Sequence, residues 1–407
     1  MNTPRRKFIK KVTAGVAGMS VTSVFPFSHN FTFDQSESGS INPWIELSKE
    51  AYLKNAETIS KMAKGNQIMA VLKNNAYGLG DVEVAKILDT SPHIHGFAMV
   101  KDSRCLSLRK SGVKKPILLM GDFSESLGEE LIASNITLSI FSRESVEKIL
   151  SLSVKTSHTI RVQLYFDTGL GRMGMPHHEP LDWAKELLSM ENIEIDGMFS
   201  TLTTPEDFAI EQLQRFKELK DELQNLGVVI KNTHIAPSLS MLQLQDSHLD
   251  LVRPGILLHG SFPIAAMSES KNYPLQPTFR LRARVIRMEK LRKGDTIGFS
   301  RFYELPQDEW IATISIGWAD GYNSGAENGA KVLIGDKLFP VVNVNASHCN
   351  VCVGTKKLID VGAVATLIGP DRDEITPEGF AKSINGHNYL QINYKESIPK
   401  IVSDDFI

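Results

Sequence analysis

The chain has 407 residues, of which 42% are hydrophobic and 23% are charged, and its formal net charge at pH 7 is -2. This composition is typical of a globular protein with a large core, and the length predicts two domains or one large barrel with an added domain. A near-neutral charge does not favour nucleic acid or an anionic membrane as a partner, so we expect neither. Three cysteines are too few for a disulfide framework or a complete zinc site, and we expect no metal ion.

Residues 1–26 resemble a bacterial twin-arginine export signal. Arg5 and Arg6 are followed by Lys-Phe-Ile-Lys and then by an uncharged stretch of apolar, glycine, serine and threonine residues. That stretch is shorter than the roughly 20 apolar residues that a membrane-spanning helix needs. Residues 27–40 read as a polar linker. We predict an exported, periplasmic protein. The sequence leaves open whether the signal is cleaved, and we expect no membrane contact other than through an uncleaved signal.

Eight short apolar runs alternate with helix-like stretches between residues 41 and 265. The runs are 67–72, 96–100, 116–120, 136–140, 159–166, 193–199, 228–235 and 249–252. This alternation predicts an α/β fold of the (β/α)8 TIM-barrel type. An open, doubly wound sheet is the competing fold, but the segment KNNAYGLG after the first run does not match the glycine-rich phosphate turn of that fold.

The pattern changes in the last part of the chain, residues 275–407. Apolar runs there are separated by turn sequences such as Lys293-Gly294-Asp295, which is typical of β-strands joined by short loops. We therefore predict that a mostly β C-terminal domain follows the barrel.

Barrel enzymes carry their active sites at the C-terminal ends of the strands, and phosphate groups usually bind after strands seven and eight. Lys73 follows the first predicted strand, Ser238 the seventh and Arg253 the eighth. Gly255 and Ile256 add backbone amides near Ser238. A lysine amine facing a phosphate site suits pyridoxal 5′-phosphate, whose aldehyde the lysine would hold as an imine. Arg253 would then meet the pyridine nitrogen.

Five motifs, in the same order and spacing, resemble those of the alanine racemases, a family of pyridoxal phosphate enzymes. They are AVLKNNAYGLG, FDTGLGRMG, RPGILLHG, IGWADGY and INYKES. The resemblance runs from about residue 41 to the end. It implies an amino-acid racemase that acts on alanine or another small amino acid. It also implies a head-to-tail homodimer in which each β domain covers the barrel mouth of its partner.

The resemblance implies a role for each matching position. Lys73 is implied as the cofactor lysine and as the base on one face of the substrate. Arg172 is implied near the substrate carboxylate, and Arg253 as the partner of the pyridine ring. The implied phosphate ligands are Tyr77, Ser238, Gly255, Ile256 and Tyr394.

The substrate-facing positions depart from the family pattern. The tyrosine that serves the family as second base is Trp318, whose indole nitrogen is a donor only. The histidine that supports this tyrosine is replaced by Thr201, and a lysine upstream of the substrate arginine is replaced by Tyr165. In the family's substrate-side segment, Ser347 is the implied substrate contact and His348 is a candidate substitute for the second base, since histidine titrates near neutral pH.

Three hypotheses remain open from the sequence. The first is an amino-acid racemase with an altered second base. The second is a one-base pyridoxal phosphate enzyme, such as a lyase or eliminase, that acts on one enantiomer. The third is a non-catalytic protein that binds the cofactor or an amino acid.

Overall fold

The computed structural model describes residues 42–204, 206–264, 267, 273–386 and 394–406. The predicted signal segment, residues 1–26, and the predicted linker, residues 27–40, lie outside this part of the chain. Both therefore stay predictions. No helix within the described ranges is long and apolar enough to cross a membrane.

Strands and helices alternate in the first half of the described chain, and strands dominate in the second half. The strands are β1 (Trp44–Ser48), β2 (Gln67–Val71), β3 (Ile94–Met99), β4 (Ile117–Leu119), β5 (Ile136–Ile140), β6 (Ile160–Asp167), β7 (Met175–Pro176), β8 (Ile193–Phe199), β9 (Asn232–His234), β10 (Leu251–Val252), β11 (Phe279–Leu291), β12 (Thr296–Ile297), β13 (Tyr303–Glu304), β14 (Glu309–Ile314), β15 (Lys331–Ile334), β16 (Lys337–Val344), β17 (Cys349–Gly354), β18 (Val364–Ile368) and β19 (Lys400–Ser403). The helices are α1 (Lys49–Met62), α2 (Lys73–Tyr77), α3 (Asp81–Asp89), α4 (Asp102–Lys110), α5 (Glu125–Ala133), α6 (Arg143–Ser153), α7 (Asp182–Leu188), α8 (Glu206–Asn225), α9 (Ser238–Gln243) and α10 (Pro377–Ser383).

Eight parallel strands form the predicted barrel, in the order β10-β2-β3-β4-β5-β6-β8-β9. A parallel bridge between Pro237 and Arg253 joins the two ends of this order and closes the barrel. All residues of β4 and β5 are buried. Strands of a parallel barrel are covered on both faces, which explains why they appear in the sequence as continuous apolar runs. The predicted (β/α)8 fold is confirmed.

The C-terminal domain is built around a mostly antiparallel sheet, in the order β14-β17-β16-β15-β18-β11-β1-β19. Pairing between β14 and β11 closes six of these strands into a ring. The predicted mostly β domain is therefore confirmed. Strand β1 pairs antiparallel with β11, although more than 230 residues separate Trp44 from its partner Arg282 in the chain. The chain thus contributes to the β domain before it enters the barrel.

One continuous apolar core runs through both domains. Glu378 on α10 links them at the surface of this core, because its carboxylate accepts hydrogen bonds from Ser261 and from the backbone N–H of Phe262. Both of these residues follow the last barrel strand. The contact holds the end of the barrel sequence against the β domain.

Candidate active site

A cavity of about 560 Å³ opens at the C-terminal ends of the barrel strands. This volume is typical of sites for cofactors and small substrates. Six of the residues predicted from the sequence line it: Lys73, Tyr77, Arg172, Ser238, Arg253 and Gly255. The other lining residues are Val71, Asn74, Val100, Met120, Tyr165, Met173, Thr201, Pro237, Leu239 and Pro263. The barrel therefore brings most of the predicted strand-end residues into one largely apolar site.

Lys73 lies two residues after the end of β2, and its Nζ atom is 5.7 Å from the centroid of the Tyr77 ring. Burial lowers the pKa of Lys73, and the positive charge of Arg172 lowers it further. A lowered pKa increases the neutral fraction of the amine, which is its nucleophilic form. Lys73 is thus suited to covalent attachment of an aldehyde.

The turn that follows Lys73 is left-handed, although it contains no glycine. Asn74, Asn75, Ala76 and Tyr77 have φ angles of 53°, 56°, 49° and 58°. Each non-glycine residue in this conformation costs roughly 1–2 kcal/mol. Such strain persists where the surrounding structure imposes it, and it is concentrated at functional sites. The turn places the Tyr77 ring beside the Lys73 amine.

An ion pair, here called the Asp81–Arg104 clamp, holds this strained turn. Asp81 is fully buried and accepts hydrogen bonds from Arg104 through both carboxylate oxygens. The side-chain oxygen of Asn75 accepts from Arg104 Nη2 at 3.2 Å and from the Asp81 backbone N–H at 3.1 Å. Glu396 accepts from Arg104 Nη1 at 2.6 Å. The clamp ties the turn to α3, α4 and the C-terminal segment.

Ser238, Gly255 and Tyr77 come together in one part of the cavity lining. Ser238 Oγ accepts a hydrogen bond from the Gly255 N–H at 3.0 Å, so its own proton is available for a further acceptor. A Cβ atom at Gly255 would lie only 2.1 Å from Tyr77 Oη. The Tyr77 ring also packs edge-on against His259, with centroids 5.2 Å apart. We call the two hydroxyls and the Gly255 backbone the cradle.

Arg253 forms the floor of the cavity. Its Nη1 donates to Nδ1 and to the carbonyl oxygen of His234, both at 2.7 Å, and its Nη2 donates to the Ser200 carbonyl and to Thr201 Oγ1. Burial holds the pKa of His234 well below its usual range, and the Arg253 charge acts in the same direction. The neutral His234 ring therefore accepts at Nδ1 and donates from Nε2 to Gln163, 2.8 Å away. Burial lowers the pKa of Arg253 to about 10, which leaves it cationic at neutral pH.

Tyr165 forms part of the cavity wall, near the end of β6. Its ring stacks on Phe199, with centroids 4.2 Å apart and an interplanar angle of 22°. Phe199 in turn stacks on His234 at 5.2 Å. Three parallel rings thus connect the wall of the cavity to the hydrogen-bonded floor.

Arg172 is carried by the loop after β6 and lies exposed at the rim of the cavity. Asp167 holds this loop by accepting hydrogen bonds from the backbone N–H groups of Gly169 and Gly171. Gly174 has a φ angle of 114°, and a Cβ there would lie 2.5 Å from the Asp167 nitrogen. The motif FDTGLGRMG therefore encodes a compact loop that directs a cation to the cavity.

Trp318, Ser347 and His348 lie on the β domain and do not line the barrel cavity. The Trp318 backbone N–H donates to the Asn345 carbonyl at 3.0 Å, which brings the three residues close to one another. Trp318 is 56% exposed, and Ser347 and His348 line a separate open hollow of about 550 Å³ beside Phe299. Within a single chain, these residues are not brought together with Lys73.

Ile256 and Tyr394 also lie outside the cavity lining. Ile256 is buried at the start of the helical turn Ile256–His259. Tyr394 packs against Phe279, with centroids 6.2 Å apart, and its buried hydroxyl has no hydrogen-bond partner among the described residues. Buried hydroxyl groups are normally hydrogen-bonded, and a bound phosphate would supply such a partner. The role of Tyr394 as a phosphate ligand stays a prediction.

Two family models match the chain along nearly all of the described fold. "Alanine racemase, N-terminal domain" matches residues 47–263, and "Alanine racemase, C-terminal domain" matches residues 278–401. The chain belongs to the alanine racemase family. The alanine racemase of Clostridium tetani is 28% identical over 371 residues, which cover 89% of this chain and 95% of that relative. The alanine racemase of Desulforamulus reducens is 31% identical over 330 residues, which cover 80% and 87%.

Solved structures of racemases share the fold of this family member. Alanine racemase from Clostridium difficile 630 matches with a TM-score of 0.83 at 27% identity, covering 90% of this chain and 98% of that chain. Histidine racemase from Leuconostoc mesenteroides subsp. sake matches with a TM-score of 0.81 at 27% identity, covering 89% and 100%. The family recognised from five motifs is confirmed.

Pyridoxal 5′-phosphate is the cofactor of the alanine racemase family, and the residues of the cavity fit it. The Lys73 amine suits the aldehyde, and the cradle supplies hydroxyl groups of the kind that bind a phosphate. Gly255 has no side chain that would fill the cradle. Arg253 offers a fixed cation at the floor of the site.

Replacing Gly255 with alanine is expected to weaken cofactor binding in this family member. The added Cβ would meet Tyr77 Oη at 2.1 Å, so the cradle must distort, at a cost of about 1–3 kcal/mol. We expect the affinity for pyridoxal phosphate to fall roughly 10- to 100-fold, measured by titration of its absorbance. In the double variant Gly255→Ala/Tyr77→Phe, the atom nearest to the added Cβ would be Cζ of the ring at position 77, 3.0 Å away. Part of the folding stability that Gly255→Ala loses should therefore return. Wild-type affinity in Gly255→Ala would contradict the assigned cradle.

The lowered pKa of Lys73 predicts the pH dependence of cofactor attachment. The neutral amine is the reactive form, so attachment to cofactor-free protein should speed up as pH rises, with a midpoint below that of an ordinary lysine. Arg172→Met removes one of the two causes of the lowered Lys73 pKa and should shift the midpoint to higher pH. Burial should still keep the midpoint below that of an ordinary lysine. The measurement is the rate of absorbance change after mixing with pyridoxal phosphate between about pH 6 and 10. An unchanged midpoint in Arg172→Met would show that Arg172 does not act on Lys73.

The residues that support the site could not be predicted from the sequence. The Asp81–Arg104 clamp joins positions 23 residues apart on two different helices, and no local pattern marks this pairing. The contact between His234 and Gln163 joins residues of two different strands. Strand periodicity offered one signal, because Gln163 and Tyr165 are two residues apart and therefore share one face of β6.

Proposed function

We propose that this chain is a pyridoxal phosphate-dependent amino-acid racemase of the alanine racemase type, with a second catalytic base that differs from the family's tyrosine. One observation carries the proposal: Lys73, with its lowered pKa, shares a cavity with the cradle and with Arg172. The family fold and the named relatives support racemisation. Trp318 supports the altered base, since an indole cannot accept a proton near neutral pH.

In the proposed racemisation, Lys73, Arg172 and Arg253 have different roles. Pyridoxal phosphate, when bound, supplies an electron sink for the pair left at Cα after proton removal. Lys73 anchors the cofactor and moves the α-proton on its own side of the substrate. Arg172 binds the substrate carboxylate through charge-assisted hydrogen bonds. Arg253 keeps its proton, which would leave a pyridine nitrogen bound to it largely unprotonated.

The proposed substrate is a small amino acid, with the interconversion of L-alanine and D-alanine as the first reaction to test. The positions that face the substrate differ from the family pattern, so other amino acids belong in the same test. Histidine is included because one structural relative bears the name histidine racemase.

Incubation of the cofactor-loaded protein with single enantiomers in heavy water tests the proposed function. A racemase converts each pure enantiomer into a mixture of both, with deuterium at Cα, as measured by chiral chromatography and mass spectrometry. A one-base lyase or eliminase would instead release keto acid or label one enantiomer only. A non-catalytic binder would change the cofactor absorbance without labelling any amino acid. The proposal predicts the first result, and either of the others would overturn it.

We further propose that the chain forms a head-to-tail homodimer. Phe299 is 100% exposed, Phe302 is 83% exposed and Trp318 is 56% exposed, and all three belong to the β domain. A concentration of exposed aromatic side chains is typical of protein interfaces. In a head-to-tail dimer, Trp318, Ser347 and His348 would reach the barrel mouth of the second chain. Light scattering should give twice the chain mass, and a monomer at all concentrations would contradict the arrangement.

Export to the periplasm is also proposed, from residues 1–26 alone. The support is the paired Arg5 and Arg6 with the uncharged stretch that follows them. Arg5→Lys/Arg6→Lys should keep the full-length protein in the cytoplasmic fraction, whereas the wild-type protein should appear in the periplasmic fraction. Equal distribution of the two proteins would contradict a twin-arginine signal.

A further inference from the structure

Inversion at Cα by two bases requires proton-transfer groups on opposite sides of the substrate. The titratable side chains that line the described cavity are Lys73, Tyr77, Tyr165, Arg172 and Arg253. The two arginines retain their protons near neutral pH. Tyr77 Oη belongs to the cradle at Gly255. Among the described lining residues, this leaves Tyr165 as the partner for Lys73. His348, the candidate named from the sequence, lines a separate hollow and would reach this cavity only from a second chain.

The strand order places Tyr165 across the cavity from Lys73. Lys73 follows β2, and Tyr165 lies near the C-terminal end of β6, four places further along the closed order of eight strands. Strands four places apart in an eight-stranded barrel stand on opposite sides of its axis. Arg172 follows the same strand as Tyr165, so a carboxylate bound there would lie on the Tyr165 side of the site. The α-carbon would then lie between the two groups.

The surroundings of Tyr165 fix its ring and leave its hydroxyl available. The ring is stacked on Phe199 at 4.2 Å, and the side chain is 4% exposed. Its hydroxyl forms no hydrogen bond with any residue that the structure describes. Burial lowers the pKa of Arg253, and electrostatic interaction with Tyr165 opposes this effect, so the phenol lies within the field of the guanidinium.

We propose that Tyr165 Oη is the second acid–base group of the racemase. In one direction the Cα–H bond breaks, and its proton moves to the neutral Nζ of Lys73, while the electron pair stays with the substrate and its bound cofactor. Tyr165 Oη–H then gives its proton to the opposite face of Cα, which forms the new Cα–H bond and leaves a phenolate. The reverse reaction uses this phenolate as the base. No atom is oxidised or reduced, and proton exchange with solvent resets both groups. This inference rests on the proposed racemase function.

The test compares the wild-type protein with Tyr165→Phe, which keeps the ring that stacks on Phe199. Tyr303→Phe is the matched control, because it removes a hydroxyl from a tyrosine of the β domain. Each protein is loaded with pyridoxal phosphate and incubated in heavy water with L-alanine, with D-alanine, and with both enantiomers of any amino acid that the wild type inverts faster. Cofactor affinity is measured in parallel from the absorbance of the bound cofactor.

We expect Tyr165→Phe to bind the cofactor as the wild type does but to invert amino acids about 10²–10⁴-fold more slowly. One enantiomer should still exchange its α-proton for deuterium through Lys73, whereas the other should do so much more slowly. Tyr303→Phe should behave as the wild type. Inversion at the wild-type rate in Tyr165→Phe would overturn the proposal, and so would loss of cofactor binding. If the wild type inverts no amino acid, the proposed function itself fails, which is seen before any variant is compared.

Discussion

Lys73→Ala is expected to leave a folded protein that no longer holds pyridoxal phosphate covalently and that racemises at least about 10³-fold more slowly. The variant loses both the covalent anchor and one of the two proton-transfer groups, and a single positioned base contributes roughly 10²–10⁴-fold on its own. The measurements are the absorbance of the dialysed protein after incubation with the cofactor and the rate of inversion of a single enantiomer.

Two controls separate the role of Lys73 from general effects of a lost lysine. Lys110→Ala removes a lysine that is exposed on α4 and paired with Glu130, so it should retain cofactor and activity. Added methylamine should restore part of the proton transfer in Lys73→Ala by occupying the space of the missing amine. A Lys73→Ala protein with full activity would contradict the whole site assignment.

Arg104→Ala is expected to cause the largest loss of stability among the substitutions considered. It would leave the fully buried Asp81 carboxylate without its partner, and breaking a buried ion pair in this way costs about 3–5 kcal/mol. We expect a loss near 3 kcal/mol, because the Arg104 side chain is itself 27% exposed. Urea unfolding of the cofactor-free protein measures this difference directly.

The clamp also predicts a functional consequence. Arg104 holds Asn75, the centre of the left-handed turn between Lys73 and Tyr77, so Arg104→Ala should weaken cofactor binding as well as stability. Lys61→Ala is the contrasting variant, since its pair with Glu57 is exposed on α1 and should contribute little to stability. Equal stabilities of the Arg104 and Lys61 variants would show that the clamp does not stabilise the turn.

The barrel could be predicted from the sequence because each of its strands is short, local and buried on both faces. Runs such as 136–140 correspond directly to an observed strand, Ile136–Ile140. The strand Trp44–Ser48 was not predicted, because its partner strand begins at Phe279 and its pairing depends on contacts far apart in the chain. The left-handed conformation of the Asn74–Tyr77 turn could not be predicted either, because none of its residues is a glycine, the usual signal for a positive φ angle.

Some residues of the candidate site could likewise be predicted from the sequence, and others could not. Strand ends are local features, so Lys73, Arg172, Ser238 and Arg253 could be assigned to one cavity from their order in the chain. Tyr165 was visible only as a departure from the family pattern. Its stacking on Phe199 and its position opposite Lys73 depend on barrel closure. In the proposed head-to-tail dimer, Trp318 and His348 would approach Lys73 of a second chain, and contacts between chains cannot be read from strand patterns within one chain.

The covalent attachment of pyridoxal phosphate to Lys73 can be tested by mass spectrometry. The protein is loaded with the cofactor and then treated with borohydride, because reduction makes the link between cofactor and amine permanent. We expect one peptide, the one that contains Lys73, to carry the added mass of the reduced cofactor. An adduct on any other lysine, or an unmodified chain after saturation with cofactor, would contradict it.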